Sequence, residues 1–518
     1  MTPSVRWLDF AVVFAYLMGM TALGLRFSRR QTTTENYFVA RRSVPSWAMG
    51  MSMLATMVSS VTFVAYPGSS YAGDWSLMVP GFMLIAVLPF VGKIIIPFYR
   101  EVIGMSAYEY FERRFGRPAR FYSAFAFSLA HFSKMGFVLY LMALTISSIT
   151  GWNIVVVIVA VAAVLILYAM KGGIEAIVWT DVIQGFVMGA SILIVLGFLL
   201  FLPEGGPAAV LGRAADANKF RLGVPEWSLG KNSVLVLLLY GLFWYLQRYV
   251  ADQTMVQRYL LAKTDEGAFK GVRVGAFLSV PVWAMFMLIG TCVWGYFQVT
   301  GEGIPASITK ADQMFPYFLS QHLPPGVLGL LLACLSGSAM TMLASDLNSM
   351  SVVAVEDFYR FFRPHSTDRE RLVAAKTFVV LKGILNIGTA LLLVQSKGSA
   401  LASWFAVSAI ASGGLMGLFF LAFLTKRAHR IGVYCGIVAN LCFSVWAALT
   451  KGTAPLLDLG AWNFPYDELL IGVIGNVLLF AVGLTVSYLL PAEKVAPSAA
   501  PSQTIWNWLA SRRLAKVA

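Results

Sequence analysis

Thirteen apolar runs, each about long enough to cross a bilayer, follow one another through this chain and fix its class before any motif is considered. Measured against roughly 17–25 residues per membrane helix, they lie near residues 8–25, 46–67, 76–98, 121–149, 152–170, 173–202, 232–247, 274–298, 324–357, 373–394, 400–424, 431–449 and 468–490. Backbone polar groups in hydrocarbon must be satisfied within their own segment, so runs of this length predict helices. The expected fold class is an all-α membrane protein with about 13 transmembrane helices. Hydrophobic residues make up 58% of the 518 residues and charged ones 12%, whereas soluble domains run nearer half and a quarter. That balance excludes a soluble enzyme, a secreted disulfide scaffold and a disordered chain. Residues 1–490 read as a single transmembrane domain and 491–518 as a tail, with no room for a sizeable soluble module.

The formal charge is +14. In so apolar a chain this excess points to the cytoplasmic membrane surface rather than to nucleic acid. Alternate inter-helix segments divide the cations 28 to 8, and three more, Lys93, Lys134 and Lys382, fall inside spans. This asymmetry predicts a cell-membrane protein with an outside N-terminus and a cytoplasmic C-terminus, and with the loops at 203–231, 299–323 and 450–467 outside. The tail carries Trp506, Trp508, Arg512 and Arg513, and reads either as a segment lying on the inner membrane surface or as a disordered extension. Cys292, Cys334, Cys435 and Cys442 lie in apolar stretches without C-x-x-C spacing and read as packing residues.

Polar groups within spans are costly, which makes their positions functional pointers. The second span contains Ser52, Thr56, Ser59, Ser60 and Thr62, then Pro67 and Gly68. Such a helix either packs tightly against neighbours or unwinds so that freed carbonyls line a cavity. In the ninth span, at 100° per residue, Ser338, Thr341, Met342, Ser345 and Ser349 share one face with Asp346 at its edge, a pattern that favours a cation path over isolated back-bonded hydroxyls. Asp181 sits about two turns into the sixth span and needs a partner. Lys134 in the fourth span is too deep to snorkel easily; it pairs with a carboxylate such as Asp181 or binds an anionic solute. His131, one turn earlier, reads as a packed neutral histidine rather than a proton relay.

The segments NYFVARRSVPSWAMGMSMLATMVSS, AYEYFERRFG, LYLMALTISSITG, GGIEAIVWTDVIQG, VADQTMVQRYL and ASDLNSMSVVAVEDFYR together resemble the sodium:solute symporters, over about residues 8–490. The resemblance implies an inverted-repeat, broken-helix core of the LeuT type, with repeats at about 46–202 and 232–424. It implies one sodium site at the carbonyls of Ala55, Val58 and Ser338 and the hydroxyl of Thr341. A second hydroxyl of the family pattern falls here on Met342, a thioether poorly suited to a hard cation. Sialic acid carriers of the family imply a second sodium site at Asp181, Thr341 and Ser345, and solute contacts at Lys134, Ser59 and Thr62. Lysine keeps the charge of the family's arginine but loses its two-point grip on carboxylate.

The reading is therefore a sodium-coupled symporter importing a small organic solute, with a carboxylate-bearing one implied by Lys134. A carrier of sugar or another neutral solute, a proton-coupled or sodium-independent carrier, and a membrane sensor on the same fold are the alternatives. An enzyme is not expected, since the four histidines are scattered and no nucleophile motif occurs. The expected partners are the solute, sodium and the bilayer, with no nucleic acid, no cofactor beyond sodium as coupling ion, and no obligate protein partner.

Overall fold

A computed structural model describes residues 7–28, 31–103, 105–306, 308–395, 413–451, 455, 457–491 and 504–517. The membrane-scale helices are α1 (Trp7–Ser28), α2 (Ser46–Met57), α3 (Ser60–Ala72), α4 (Met78–Val102), α5 (Arg117–Thr150), α6 (Ile154–Phe201), α7 (Val234–Val250), α8 (Gln253–Tyr259), α9 (Asp265–Thr300), α10 (Val327–Val353), α11 (Asp368–Gln395), α12 (Leu415–Leu424), α13 (Arg430–Thr450) and α14 (Leu470–Leu489). A terminal helix, α15, covers Ile505–Val517. Among the described residues, nine helices are long and apolar enough to span a membrane, and two bent pairs, α2 with α3 and α7 with α8, raise the number to eleven.

The thirteen expected spans are reconciled by one glycine and one partial helix. The 48-residue α6 holds two of them, divided at Gly173, whose φ of 59° and ψ of −165° break the helical path. A Cβ there would lie 2.9 Å from the Tyr37 carbonyl oxygen, so the position suits glycine on both conformational and steric grounds. The span expected at 400–424 is described only from its second half, as α12; residues 400–412 lie outside the described residues.

α10 forms the centre: 89% of its apolar window is buried, and α1, α2, α5, α6 and α11 pack around it. Its hydroxyl-rich face therefore meets protein rather than lipid. α3 and α9 approach closely: a Cβ on Gly290 would fall 2.0 Å from the Pro67 carbonyl, and Ser70 Oγ donates to the Met287 carbonyl at 2.7 Å. This is small-residue packing of the kind that lets membrane helices touch through their backbones. α13 and α14 pair with each other at the edge, joined to the rest through α12 and α7.

Part of the tail is a helix. Residues 492–503 lie outside the described residues, but α15 docks on the ends of α4, α9 and α12. Trp508 is buried and bonds to Glu101, Arg512 pairs with Glu101 and lies 3.3 Å from Asp265, and Trp506 Nε1 donates to the Leu424 carbonyl at 2.8 Å. Cys292 and Cys334 are buried, whereas Cys435 and Cys442 face outward from α13.

Candidate functional site

The second span resolves its two readings in favour of a break. α2 ends at Met57, Val58 is extended (φ −102°, ψ 112°), and α3 leaves at 60° to α2. The last bond of the α2 ladder runs from Val58 N to the Leu54 carbonyl at 3.1 Å. Ser59 N then turns to Thr62 Oγ1 at 3.3 Å, leaving the Ala55 carbonyl without its usual helical donor. Ser59 Oγ in turn accepts from Val61 N at 3.2 Å. Ser59 and Thr62, expected to contact solute, thus form the capping box that starts α3, in the manner that stabilises any helix N-terminus.

Opposite the break lies the oxygen-rich face of α10. Ser338, Thr341, Ser345 and Ser349 are all buried. Thr341 Oγ1 donates to the Ser338 carbonyl at 3.2 Å, so these two expected sodium ligands are brought together. Ser338 Oγ accepts from Gln184 Nε2 at 2.9 Å, and Thr56 Oγ1 lies 3.5 Å from Ser345 Oγ, joining the last turn of α2 to α10. Met342 is buried beside them.

Asp181 and Ser345 are also brought together, but by a residue absent from the sequence reading of the site. Arg258 of α8 is fully buried. Its Nη2 donates to Thr56 Oγ1 at 2.5 Å, Ser345 Oγ at 2.8 Å and Asp181 Oδ2 at 3.3 Å, its Nε to Ser52 Oγ at 3.1 Å, and its Nη1 to the Thr254 carbonyl at 2.8 Å. Ser52 Oγ donates to Asp181 Oδ2 at 2.5 Å. The second carboxylate oxygen, Asp181 Oδ1, has no hydrogen-bond partner among the described residues. Arg258 and Arg248, both placed with the cytoplasmic loop cations in the charge count, are core residues. Without them the split is 26 to 8, and its direction stands.

Lys134 has a partner too, and it is not Asp181. Its Nζ lies 2.8 Å from Asp346 Oδ2. His131 sits between two carboxylates, Nδ1 at 2.9 Å from Asp346 Oδ1 and Nε2 at 3.0 Å from Asp252 Oδ2, and Arg248 closes the far side on Asp252. Asp252 occupies the bend of 53° between α7 and α8 and caps α8 by accepting from Thr254 N at 2.8 Å. The second broken span thus supplies charge to the same interior as the first. Its signal in the sequence was the D-Q-x-x-x-Q-R run at 252–258, three polar types on helical spacing in a segment that hydropathy alone assigns to a loop.

The model of the sodium:solute symporter family matches residues 37–439. This chain belongs to the sodium:solute symporter family. Such a symporter chain is 30% identical to the sodium/sialic acid symporter NanT of Aliivibrio fischeri over 478 residues, 92% of each. It is also 30% identical to the sodium/sialic acid symporter SiaT of Proteus mirabilis over 494 residues, 95% of this chain and 97% of that one. A solved Na+-coupled sialic acid symporter in a substrate-bound outward-open state superposes with a TM-score of 0.86 at 29% identity, covering 94% of this chain and 99% of the other. The fold is the broken-helix, LeuT-type transporter fold, and membership places the chain among multi-pass membrane transporters rather than enzymes.

Proposed function

We propose that this symporter couples sodium to the import of a small organic anion by alternating access, with its N-terminus outside the cell membrane and its C-terminus in the cytoplasm. The observation that carries the reading is the break after α2, which leaves the Ala55 carbonyl without its helical donor and whose last turn meets the oxygen-rich face of α10 through Thr56 and Ser345. Hard oxygen donors of this kind, freed from a helical ladder inside a protein-lined interior, fit a hard monovalent cation. Met342 contributes no oxygen to that set. The Asp181 and Ser345 pair, with Thr341 one turn away, is the place for a second cation, and Asp181 Oδ1 is the oxygen free to hold it. Arg258 already supplies one positive charge there, so a second sodium would share the carboxylate with a guanidinium. The repeats are taken as about 46–202 and 232–424, each opening on a broken span.

The sialic acid symporters among the relatives support this solute class, as does a cationic side chain, Lys134, one residue away from the second break through His131. A neutral solute is the second reading, favoured by the pairing of Lys134 with Asp346. Counterflow of labelled sialic acid in proteoliposomes, with and without sodium, tests the whole proposal; exchange indifferent to sodium would defeat it. Thr341→Ala is expected to raise the sodium concentration for half-maximal uptake by roughly tenfold, the loss of one ion–oxygen contact of about 1.5 kcal/mol. Met342→Ser is expected to lower it, and no change in Met342→Ser would move the site elsewhere. For orientation, a reporter fused after Ala518 should be cytoplasmic and one inserted near Ala214 exported, the reverse pair of results overturning the topology.

A further inference from the structure

The sequence reading took His131 for a packed neutral histidine, and its surroundings do not fit that. A neutral imidazole carries one N–H and one bare nitrogen. Both nitrogens of His131 face carboxylate oxygens, Asp346 Oδ1 at 2.9 Å and Asp252 Oδ2 at 3.0 Å, and carboxylates only accept. Two such contacts need two protons on the ring. Lys134 Nζ lies 3.2 Å from Nδ1, farther than the Asp346 oxygen, so a proton shared by Lys134 with that nitrogen would still leave the nearer Asp346 Oδ1 facing a bare nitrogen. Without a proton between Nδ1 and Asp346, two lone pairs would be pressed together in a buried site.

We propose that His131 is a proton-binding site, and that its proton gives this cluster the single net positive charge that receives the carboxylate of the solute. The charges around His131 come from every element packed on it: Lys134 on its own helix α5, Asp346 on α10, Asp252 in the α7–α8 bend with Arg248 behind it on α7. Tyr108 is nearby, its hydroxyl donated to the Ala251 carbonyl at 2.9 Å, and Arg258 in the adjoining cluster is matched by Asp181. Lys134 and Arg248 cancel Asp346 and Asp252, so a neutral His131 leaves the group with no net charge and nothing to offer an anion. The imidazolium leaves an excess of one. Lys134 then does not have to be unpaired to serve an anionic solute, because the proton supplies the charge that its pairing with Asp346 removes. The proposal rests on the anion reading of the function, and makes anion binding depend on a proton as well as on sodium.

Two measurements on the full-length protein test it. The first needs no solute: nitrogen-15 NMR of histidine-labelled protein at pH 7, in which the four histidines His131, His322, His365 and His429 are assigned by His131→Gln. Both ring nitrogens of His131 are expected to carry protons, and a single bare nitrogen would overturn the proposal. The second is sialic acid binding at saturating sodium and pH 7. His131→Gln, which cannot carry the charge, is expected to weaken affinity at least tenfold. Sialic acid bound by His131→Gln with the parent's affinity would overturn the proposal while leaving sodium symport standing. Absence of sodium-dependent uptake for sialic acid, lactate and glucose alike would instead defeat the transport reading, with the ring-nitrogen signals still deciding the proton on His131.

Discussion

Arg258→Ala is expected to cost the fold about 3–5 kcal/mol, the range for removing one partner of a buried ion pair. The guanidinium is fully buried, spans Ser52 and Thr56 on α2, Thr254 on α8, Ser345 on α10 and Asp181 on α6, and so ties four helices at one point. Among the described residues, its removal leaves the Asp181 carboxylate with only the Ser52 hydroxyl, since Oδ1 has no hydrogen-bond partner. Native stabilities of about 5–15 kcal/mol make that a large fraction, and a markedly lower melting temperature in detergent should accompany loss of uptake. Arg258→Lys should recover part, since an ammonium keeps the charge but cannot reproduce the planar fork of five donors. Arg258→Met combined with Asp181→Asn should be more stable than Arg258→Ala alone, because no charge is then left unmatched. A melting temperature within a degree or two of the parent protein for Arg258→Ala would show that the pair contributes nothing to the fold.

The second large effect is on solute affinity. Lys134→Ala takes one positive charge from the cluster of His131, Asp252, Asp346 and Arg248 and leaves Asp346 with His131 at 2.9 Å and the Thr254 hydroxyl at 3.5 Å. A hydrogen bond to a charged group contributes about 1.5–3 kcal/mol, so carboxylate binding should weaken at least tenfold. Lys134→Arg should retain binding or improve it, with the same charge and two-point geometry. A neutral solute whose affinity survives Lys134→Ala would move the reading to the sugar carriers of the family.

Much of the helical architecture was legible because the bilayer makes it so. Segments such as 274–298 and 468–490 have no structural option other than a helix, and they appear as parts of α9 and as α14. The polar face of α10 was legible for a related reason: hydroxyls and a carboxylate on one side of a span are tolerated only where that side meets protein. The break in the second span was visible as a suspicion, because Ser, Thr, Pro and Gly in place of aliphatics weaken a helix without saying where it opens. The ladder from Val58 to Leu54 and the Ser59–Thr62 capping box put the opening at Val58 and Ser59.

What the sequence could not give was who pairs with whom. It identified Asp181, Lys134 and Asp346 as intramembrane charges and left Lys134 either to a carboxylate such as Asp181 or to an anionic solute. Tertiary packing gave Asp181 to Arg258, 77 positions away, and Lys134 to Asp346. It also drew Arg248, Asp252 and Arg258 out of an assumed loop into the interior. Hydropathy reads each segment alone and decides only whether it can enter the bilayer. The match of buried charges depends on how helices distant in the chain are placed against one another, and the cost of leaving any of them unmatched in the membrane makes that placement, rather than composition, the decision about where ions and solute can bind.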